Sequence, residues 1–139
     1  MTPSYWLFKQ EPSTYSYAQL EKDGRTAWDG VANNLALKHL RSVKKGDKAL
    51  FYHTGDEKQA VGVMDVVSDP YPDPRDSKLV VVDVKPAFRL ARPVTLEQIK
   101  GDPAFAGWEL VRISRLSVMP VPDRLWDRII KMASATGKK

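Results

Sequence analysis

The chain has 139 residues, a formal net charge of +5 and no cysteine. Disulfide scaffolds, thiolate zinc sites, iron–sulfur clusters and cysteine nucleophiles are therefore excluded, and two histidines are too few for a multi-histidine metal centre. The length and the 42% hydrophobic content are typical of one folded domain. We expect a single domain over residues 1–134, a flexible C-terminal tail over residues 135–139, and no metal or other cofactor.

The first half of the sequence indicates several strands with helices inserted between them. The run at residues 5–9 has four aromatic or aliphatic side chains followed by Lys9 and stops before Glu11 and Pro12, which predicts a buried strand that ends in a turn. Ser16, with Gln19 three residues later, has the pattern of a capping box at the start of a short helix. Apolar spacing then predicts a helix over residues 31–43 and strands over residues 48–54, 60–67 and 78–88.

The second half is interrupted by prolines. Those at positions 70, 72 and 74 are expected to forbid regular structure between the last two strands. Thr95 and Gln98 predict a capped short helix, and apolar runs predict a strand over 116–121 and a helix over 123–133. Strands with helices inserted between them predict an α+β fold with a mostly antiparallel sheet, which can curl into a small barrel.

The positive charge lies at both ends of the sequence. Residues 1–50, 51–100 and 101–139 carry net charges of +3, −1 and +3. If the two ends pack on one side of the domain, they form a positive face suited to phosphate. The alternative is that the net charge only keeps a small protein soluble.

The sequence lacks the segments that place a chain in a membrane. No apolar run approaches the roughly 20 residues that a spanning helix needs, and the first residues do not show the basic-then-apolar order of a secretory signal. We therefore expect a cytoplasmic protein without a membrane partner.

Aromatic residues are concentrated in the first 52 positions, which hold eight of the 13. Trp28 directly precedes Asp29 and Gly30, a turn signal, and this position suits a side chain that lines a cavity. An aromatic wall can stack a planar base, which contributes about 1–3 kcal/mol per base. The alternative is that Trp28 is an anchor of the core, and its position in the sequence leaves both open.

Polar residues mark the ends of several predicted elements. Lys9 and Gln10 close the first strand, and Asn33 opens the long helix, where its amide can cap the backbone or face a ligand. His53 ends a strand, where a lone histidine is more often structural than catalytic. Phosphate-binding glycine loops, dinucleotide fingerprints and nucleophile elbows are absent from the sequence. We therefore expect a protein that is not an enzyme.

Five motifs in the same order resemble the EVE domain family. They are YWLFKQEP at 5–12, WDGV at 28–31, KGD at 45–47 leading to FYH at 51–53, YPDP at 71–74 and RLSVMPV at 115–121. The resemblance covers nearly the whole chain. It implies a single EVE domain over residues 1–134 with a PUA-like fold related to YTH domains, which is a curved, mostly antiparallel β-barrel flanked by short helices.

The resemblance implies binding of a base rather than catalysis. Relatives with this fold hold a modified or flipped base in a pocket near the end of the first strand, the turn tryptophan and the barrel mouth. Carried over to this chain, the base-binding residues are Lys9, Gln10, Trp28, Asn33, Tyr52, His53, Leu116, Ser117 and Val118. The residues expected to contact phosphate are Lys38, Arg41, Lys44, Lys45 and Arg115.

The partner implied in this way is DNA or RNA that carries a modified base, for example a methylated one, bound by a monomer. The alternative is a small-molecule or anion-binding module that has no nucleic-acid partner. The chain also departs from the family pattern: at Gln10, Ala32 and Asn34 the family usually has serine, arginine and tyrosine. The segment at 74–80 lacks an expected tryptophan, and Trp108 is a candidate to take its place in the pocket wall.

Overall fold

The structure is a computed structural model that describes residues 3–134, so the tail predicted at residues 135–139 lies outside the described residues. The strands are β1 (Tyr5–Gln10), β2 (Thr26–Trp28), β3 (Lys48–His53), β4 (Gln59–Val66), β5 (Tyr71–Asp73), β6 (Asp76–Thr95) and β7 (Val118–Pro120). The helices are α1 (Tyr17–Asp23), α2 (Asn34–Ser42), α3 (Leu96–Lys100), a 3-10 helix at Pro103–Phe105, α4 (Glu109–Arg112) and α5 (Asp123–Ser134). None of the helices in residues 3–134 is long and apolar enough to cross a membrane.

The strands form one mixed sheet in the order β2-β6-β4-β3-β1-β7, with β5 attached to β6. Strands β1 and β3 run parallel, with Lys9 opposite Tyr52 and Gln10 opposite His53. The other strand pairs within residues 3–134 are antiparallel. The sheet curls into a half-barrel, which confirms the predicted α+β fold with a curved, mostly antiparallel sheet. Because β1 and β3 are parallel, their last residues lie at the same edge of the sheet.

The sheet curls where β4 pairs with the long strand β6. The register between the two strands shifts twice, on either side of Gly62 and Val63, and such bulges increase the local twist. A Cβ atom on Gly62 would lie 2.5 Å from ring carbons of Tyr17. The Tyr17 hydroxyl also donates to the Val63 carbonyl at 2.9 Å. The absence of a side chain at Gly62 therefore lets α1 pack closely on the curled part of the sheet.

A buried carboxylate secures the other edge of the parallel pair. Asp47 directly precedes β3 and is 6% exposed. Its oxygens accept hydrogen bonds from Nε1 of Trp6 at 2.9 Å, from the backbone N–H of Ser4 at 3.0 Å and from that of Lys44 at 2.9 Å. Since these donors lie near the starts of β1 and β3, Asp47 holds the two strands together at that edge.

The helix starts follow the predicted caps. Oγ of Ser16 accepts from the N–H of Gln19 at 3.1 Å, and Thr95 with Gln98 forms a complete capping box. The Gln19 side chain does not return the bond at α1; it extends toward Asp23, to which its Nε2 donates. The predicted caps at both helices are confirmed, with a reciprocal box at α3.

Two expectations about the second half were wrong. Regular structure does form in the proline-rich segment, where Tyr71–Asp73 is strand β5. Within the described residues β5 pairs with β6 alone, so Pro72, which has no N–H to donate, lies on an edge strand. The strand predicted over 116–121 is confined to Val118–Pro120, because the N–H of Leu116 bonds the carbonyl of Ile113 in a turn.

Candidate functional site

A cavity of about 410 Å³ opens where β1 and β3 end together. We call it the main cavity. Its wall includes Lys9 and Gln10 from β1, Trp28 from β2, and Arg115 and Ser117 from the loop before β7. Thr54, which follows β3, also lines the cavity. The parallel pairing of β1 with β3 and the antiparallel pairing of β1 with β7 therefore bring the ends of β1 and β3 and the loop before β7 to one opening.

Lys9 connects the end of β1 to the loop before β7. Its backbone N–H donates to the carbonyl of Ser117 at 2.9 Å, and its Nζ donates to the carbonyl of Ser114 at 2.9 Å. The ammonium lies 5.6 Å from the centre of the Tyr52 ring. Burial lowers the pKa of Lys9. An ammonium has three hydrogens, so two remain for a ligand after the bond to Ser114.

Glu11 brings a carboxylate to the same wall. Its Oε2 accepts from the hydroxyl of Ser13 at 3.2 Å, and its Oε1 accepts from that of Thr54 at 3.5 Å. A Cβ atom on Gly55, whose φ is +72°, would lie 2.5 Å from Oε1. The backbone at Gly55 thus makes room for the carboxylate, which adds hydrogen-bond acceptors to the wall that also includes Lys9.

Trp28 is mainly a core residue and reaches the main cavity with part of its surface. It is 3% exposed, and its ring lies 5.3 Å from that of Phe8 and 5.1 Å from that of Phe51, the latter nearly perpendicular at 86°. The structure therefore combines the two interpretations of Trp28. Trp28 is an anchor of the core and also a part of the cavity wall, although little of its surface is exposed.

The turn after Trp28 is tied to the β5–β6 hairpin. Asp29, which lines the main cavity, forms an ion pair with Arg75. Arg75 also bonds Asp73 through its backbone N–H at 2.9 Å and its Nε at 3.4 Å. The backbone and side-chain hydrogen bonds from Arg75 lower the pKa of Asp73. The wall at Asp29 is thus held by a charged side chain from another part of the chain.

Other predicted base-binding residues lie outside the wall of the main cavity. Tyr52 is 2% exposed and lines a neighbouring cavity of about 170 Å³. Leu116 and Val118 are buried in the core. Trp108, the candidate for the missing tryptophan, is buried against Phe105, with its Nε1 donating to the carbonyl of Pro120.

Asn33 and His53 hold secondary structure in place. Oδ1 of Asn33 accepts from the N–H of Ala36 at 3.0 Å and caps α2. In the buried His53, Nε2 accepts from the N–H of Tyr17 at 3.1 Å, and Nδ1 lies 2.7 Å from Oε1 of Glu57. These contacts occupy both ring nitrogens of His53. Among residues 3–134, no group of three or more acidic or histidine side chains is arranged to hold a metal ion.

The basic residues predicted to contact phosphate do not gather at one place. Arg115 is exposed at the main cavity and makes no ion pair with any carboxylate of residues 3–134. Lys44 and Lys45 precede β3, so they lie at the opposite edge of the sheet, roughly 17 Å away for a six-residue strand. Lys38 and Arg41 are exposed on α2, where Arg41 lines a separate depression beside Tyr71. Phosphate contact at these four positions stays a prediction.

Sequence reasoning missed several polar residues of the main cavity. Thr54 and Ser114 line it, and each directly adjoins a motif, Thr54 following His53 and Ser114 preceding Arg115. Both residues are therefore included when the motifs at 51–53 and 115–121 are each extended by one position. Thr14 has no such signal, because a turn brings it there through the bond from its N–H to the carbonyl of Glu11.

Comparisons with known proteins agree on one family. The family model described as "EVE domain" matches residues 4–132. Thymocyte nuclear protein 1 of Rattus norvegicus is 28% identical over 169 residues, which covers 95% of this chain and 74% of that protein. An NMR structure of a Rhodopseudomonas palustris protein has 40% identity and a TM-score of 0.89, covering 94% of this chain and 92% of that one. A crystal structure of human THYN1 in complex with DNA containing 5-methylcytosine has 26% identity and a TM-score of 0.87, covering 95% and 98%.

Proposed function

The chain belongs to the EVE domain family, and we propose that it binds nucleic acid as a monomer and holds a modified nucleobase in the main cavity without converting it. The observation that carries this proposal is the cluster of hydrogen-bonding groups at the shared end of β1 and β3. Lys9, Gln10 and Glu11 line one opening there. The complex of human THYN1 with DNA containing 5-methylcytosine supports DNA as the partner.

The size and chemistry of the main cavity suit a base. Its volume of about 410 Å³ lies in the range of roughly 300–1,000 Å³ that small-molecule sites occupy. The edge of a base carries donors and acceptors, which the ammonium of Lys9, the amide of Gln10 and the carboxylate of Glu11 can match. Since Trp28 is only 3% exposed and packs against Phe8 and Phe51, we propose that hydrogen bonds to the base edge carry more of the selectivity than stacking on Trp28.

Arg115 supplies the contact with the backbone of the nucleic acid. A guanidinium forms paired hydrogen bonds with a phosphate, and Arg115 is exposed at the wall of the main cavity. Extracting a base from a duplex costs a few kcal/mol. Bonds from charged groups, each contributing about 1.5–3 kcal/mol, can offset that cost.

Titration of labelled oligonucleotides tests the proposal. DNA and RNA oligonucleotides that differ in one central base, which is cytosine, 5-methylcytosine, 5-hydroxymethylcytosine, adenine or N6-methyladenine, are added to the protein and followed by fluorescence anisotropy. We expect tighter binding of one modified base than of its unmodified counterpart, at one protein per modified base. Equal affinity for every oligonucleotide would refute the selective binding of a modified base.

The variant Arg115→Gln tests the phosphate contact. Because it removes a charge-assisted bond, we expect affinity to fall about tenfold for modified and unmodified oligonucleotides alike. Lys131→Gln, at an exposed lysine on α5, is the matched control and should bind as the wild type does. An Arg115→Gln protein with unchanged affinity and unchanged salt dependence would remove Arg115 from the interface.

Two other outcomes would replace the proposal. A rise in melting temperature with free nucleobases, without binding of any oligonucleotide, would favour the small-molecule module instead. Detection by mass spectrometry of a converted nucleoside after incubation would show catalysis.

A further inference from the structure

A second cavity adjoins the main cavity. It has a volume of about 170 Å³ and shares Lys9, Thr54 and Ser114 with the main cavity. The Lys9 side chain forms the boundary, because its Nζ reaches across to the carbonyl of Ser114 at 2.9 Å. The two cavities are therefore consecutive compartments of one groove.

The lining of the second cavity combines an apolar floor with a cationic rim. Tyr52, Leu96, Leu110 and Val111 provide the apolar surface, and Lys9, Lys58 and Lys100 provide three ammonium groups. No carboxylate is part of this lining. Lys58 and Lys100 are exposed and make no ion pair with the carboxylates of residues 3–134.

The two exposed lysines line the same cavity because of a backbone contact between Lys58, which directly precedes β4, and the start of α3. The N–H of Leu96, the first residue of α3, donates to the carbonyl of Lys58 at 2.8 Å. Lys100 lies one helical turn after Leu96 on α3. The sequence separates the lysines by 42 positions, yet the fold places both beside the same opening.

Carboxylates limit the groove on its outer side. A wider depression of about 610 Å³ continues past Lys58 and Lys100, and its lining adds Asp56, Glu57 and Glu97. Like charges repel, so a phosphate is favoured beside the three lysines of the second cavity and disfavoured farther out. The charge pattern thus suits one anionic group.

We propose that the second cavity binds the nucleotide next to the one held in the main cavity, with its sugar or base on the apolar floor and its phosphate among Lys9, Lys58 and Lys100. This inference rests on the proposed function. A nucleotide has both an apolar surface and a phosphate, whereas a free anion leaves the floor uncovered and an apolar peptide leaves the ammonium groups unpaired. The neighbour must be unpaired to enter, so the groove selects a single-stranded or locally opened segment.

NMR titration of the 15N-labelled protein tests this inference. The probes are the nucleoside 5-methyl-2′-deoxycytidine and a trinucleotide with 5-methylcytosine between two thymines. We expect the nucleoside to shift backbone amides at the main cavity, at Gln10, Gly30 and Ser117. The trinucleotide should shift these and also the amides of residues 96–100 and 110–114.

A double variant, Lys58→Gln with Lys100→Gln, tests the same inference through the affinities for the trinucleotide and for the nucleoside. We expect its affinity for the trinucleotide to fall at least fivefold, and the slope of log affinity against log salt to decrease by about 0.7, the value for one single-strand phosphate. Binding of the nucleoside should be unchanged, since neither lysine lines the main cavity. Lys131→Gln serves again as the control.

The outcomes separate the two proposals. If the trinucleotide shifts only the amides that the nucleoside shifts, or if the double variant binds it as tightly as the wild type does, this inference is overturned and the base site in the main cavity stands. If the wild type binds neither probe nor any of the modified oligonucleotides, both proposals fall.

Discussion

Trp28 contributes to the fold and to the main cavity with different parts of one side chain. Its ring packs against Phe8 and Phe51, and the residue also forms part of the cavity wall. Removing the ring therefore lowers the stability of the core, whether or not it also weakens the binding of a ligand. A loss of binding in a Trp28 variant has to be judged together with its stability.

Trp28→Ala should lower the free energy of unfolding by about 3–5 kcal/mol, the usual cost of emptying the place of a buried aromatic residue. Urea denaturation of the variant and of the wild type measures this difference in the free energy of unfolding. Leu35→Ala, at an exposed apolar position on α2, should change stability by less than about 0.5 kcal/mol. A Trp28→Ala protein as stable as the wild type would mean that the ring is not an anchor of the core.

Lys9→Met separates the charge of Lys9 from its packing. Methionine keeps an unbranched stem against Tyr52 and removes the ammonium, so we expect weaker oligonucleotide binding by about tenfold or more. Because burial of the ammonium lowers its pKa, the charged form is disfavoured in the folded state. Replacing it should leave the melting temperature unchanged or slightly higher. Undiminished binding, measured by anisotropy, would contradict the role of Lys9 in both cavities.

The sequence pointed to Lys9 and Gln10 by their place at the end of a predicted strand and to Trp28 by its place beside a turn, and all three line the main cavity. It did not identify Lys58 and Lys100, because their meeting depends on the contact between Lys58 and the start of α3. No local pattern in the sequence encodes a contact of that range.

At the scale of elements, strands of only three residues could not be predicted from apolar periodicity, whereas several longer elements could. The long strands β3 and β4 and helix α5 follow from apolar periodicity, and the capping box at Thr95 marks the end of β6. The three-residue strands β2 and β5 are too short for a period to show. Their strand geometry comes from pairing with β6, which no local propensity reports.

Asp47→Ala tests how the parallel strands are held at the edge opposite the main cavity. The variant leaves the Trp6 indole and two backbone N–H groups without their acceptor. The indole donor is buried and the two backbone donors are part-buried. Since a buried donor left unpaired costs about 1–3 kcal/mol, we expect a loss of about 2 kcal/mol or more in the free energy of unfolding. Asp56→Ala, at an exposed position, is the control and should stay within about 0.5 kcal/mol of the wild type. An equally small effect at Asp47 would show that these hydrogen bonds add no net stability.

At the scale of the whole molecule, arginine–aspartate pairs connect elements that are distant in sequence. Arg128 on α5 bonds Asp102, which caps the 3-10 helix, and Arg75 connects Asp73 to Asp29. Hydrogen bonds from Arg128 and from the backbone of Ala104 lower the pKa of Asp102, as those from Arg75 lower the pKa of Asp73.

These lowered pKa values predict a loss of stability in acid. A carboxyl whose pKa is lower in the folded than in the unfolded state stabilises the fold above its ordinary pKa of 3.8. That contribution disappears as pH falls through the lower, folded-state value. Urea denaturation between pH 7 and pH 2.5 should show no change from these groups above about pH 5 and a decline below about pH 4. In Arg128→Met the decline should be smaller, and an identical decline would show that the pair with Asp102 does not contribute.

The position of β1 between β3 and β7 also determines the stage of folding at which the main cavity forms. Lys9 and Ser114, which bond across the boundary of the two cavities, are 105 residues apart in the chain. Contacts of such sequence separation form late and slow the folding of a small domain. During synthesis, β1 leaves the ribosome long before the loop at 114–117 that completes the groove. In a nascent chain the main cavity is therefore incomplete until β7 docks, so the cavity and the sheet are completed in the same step.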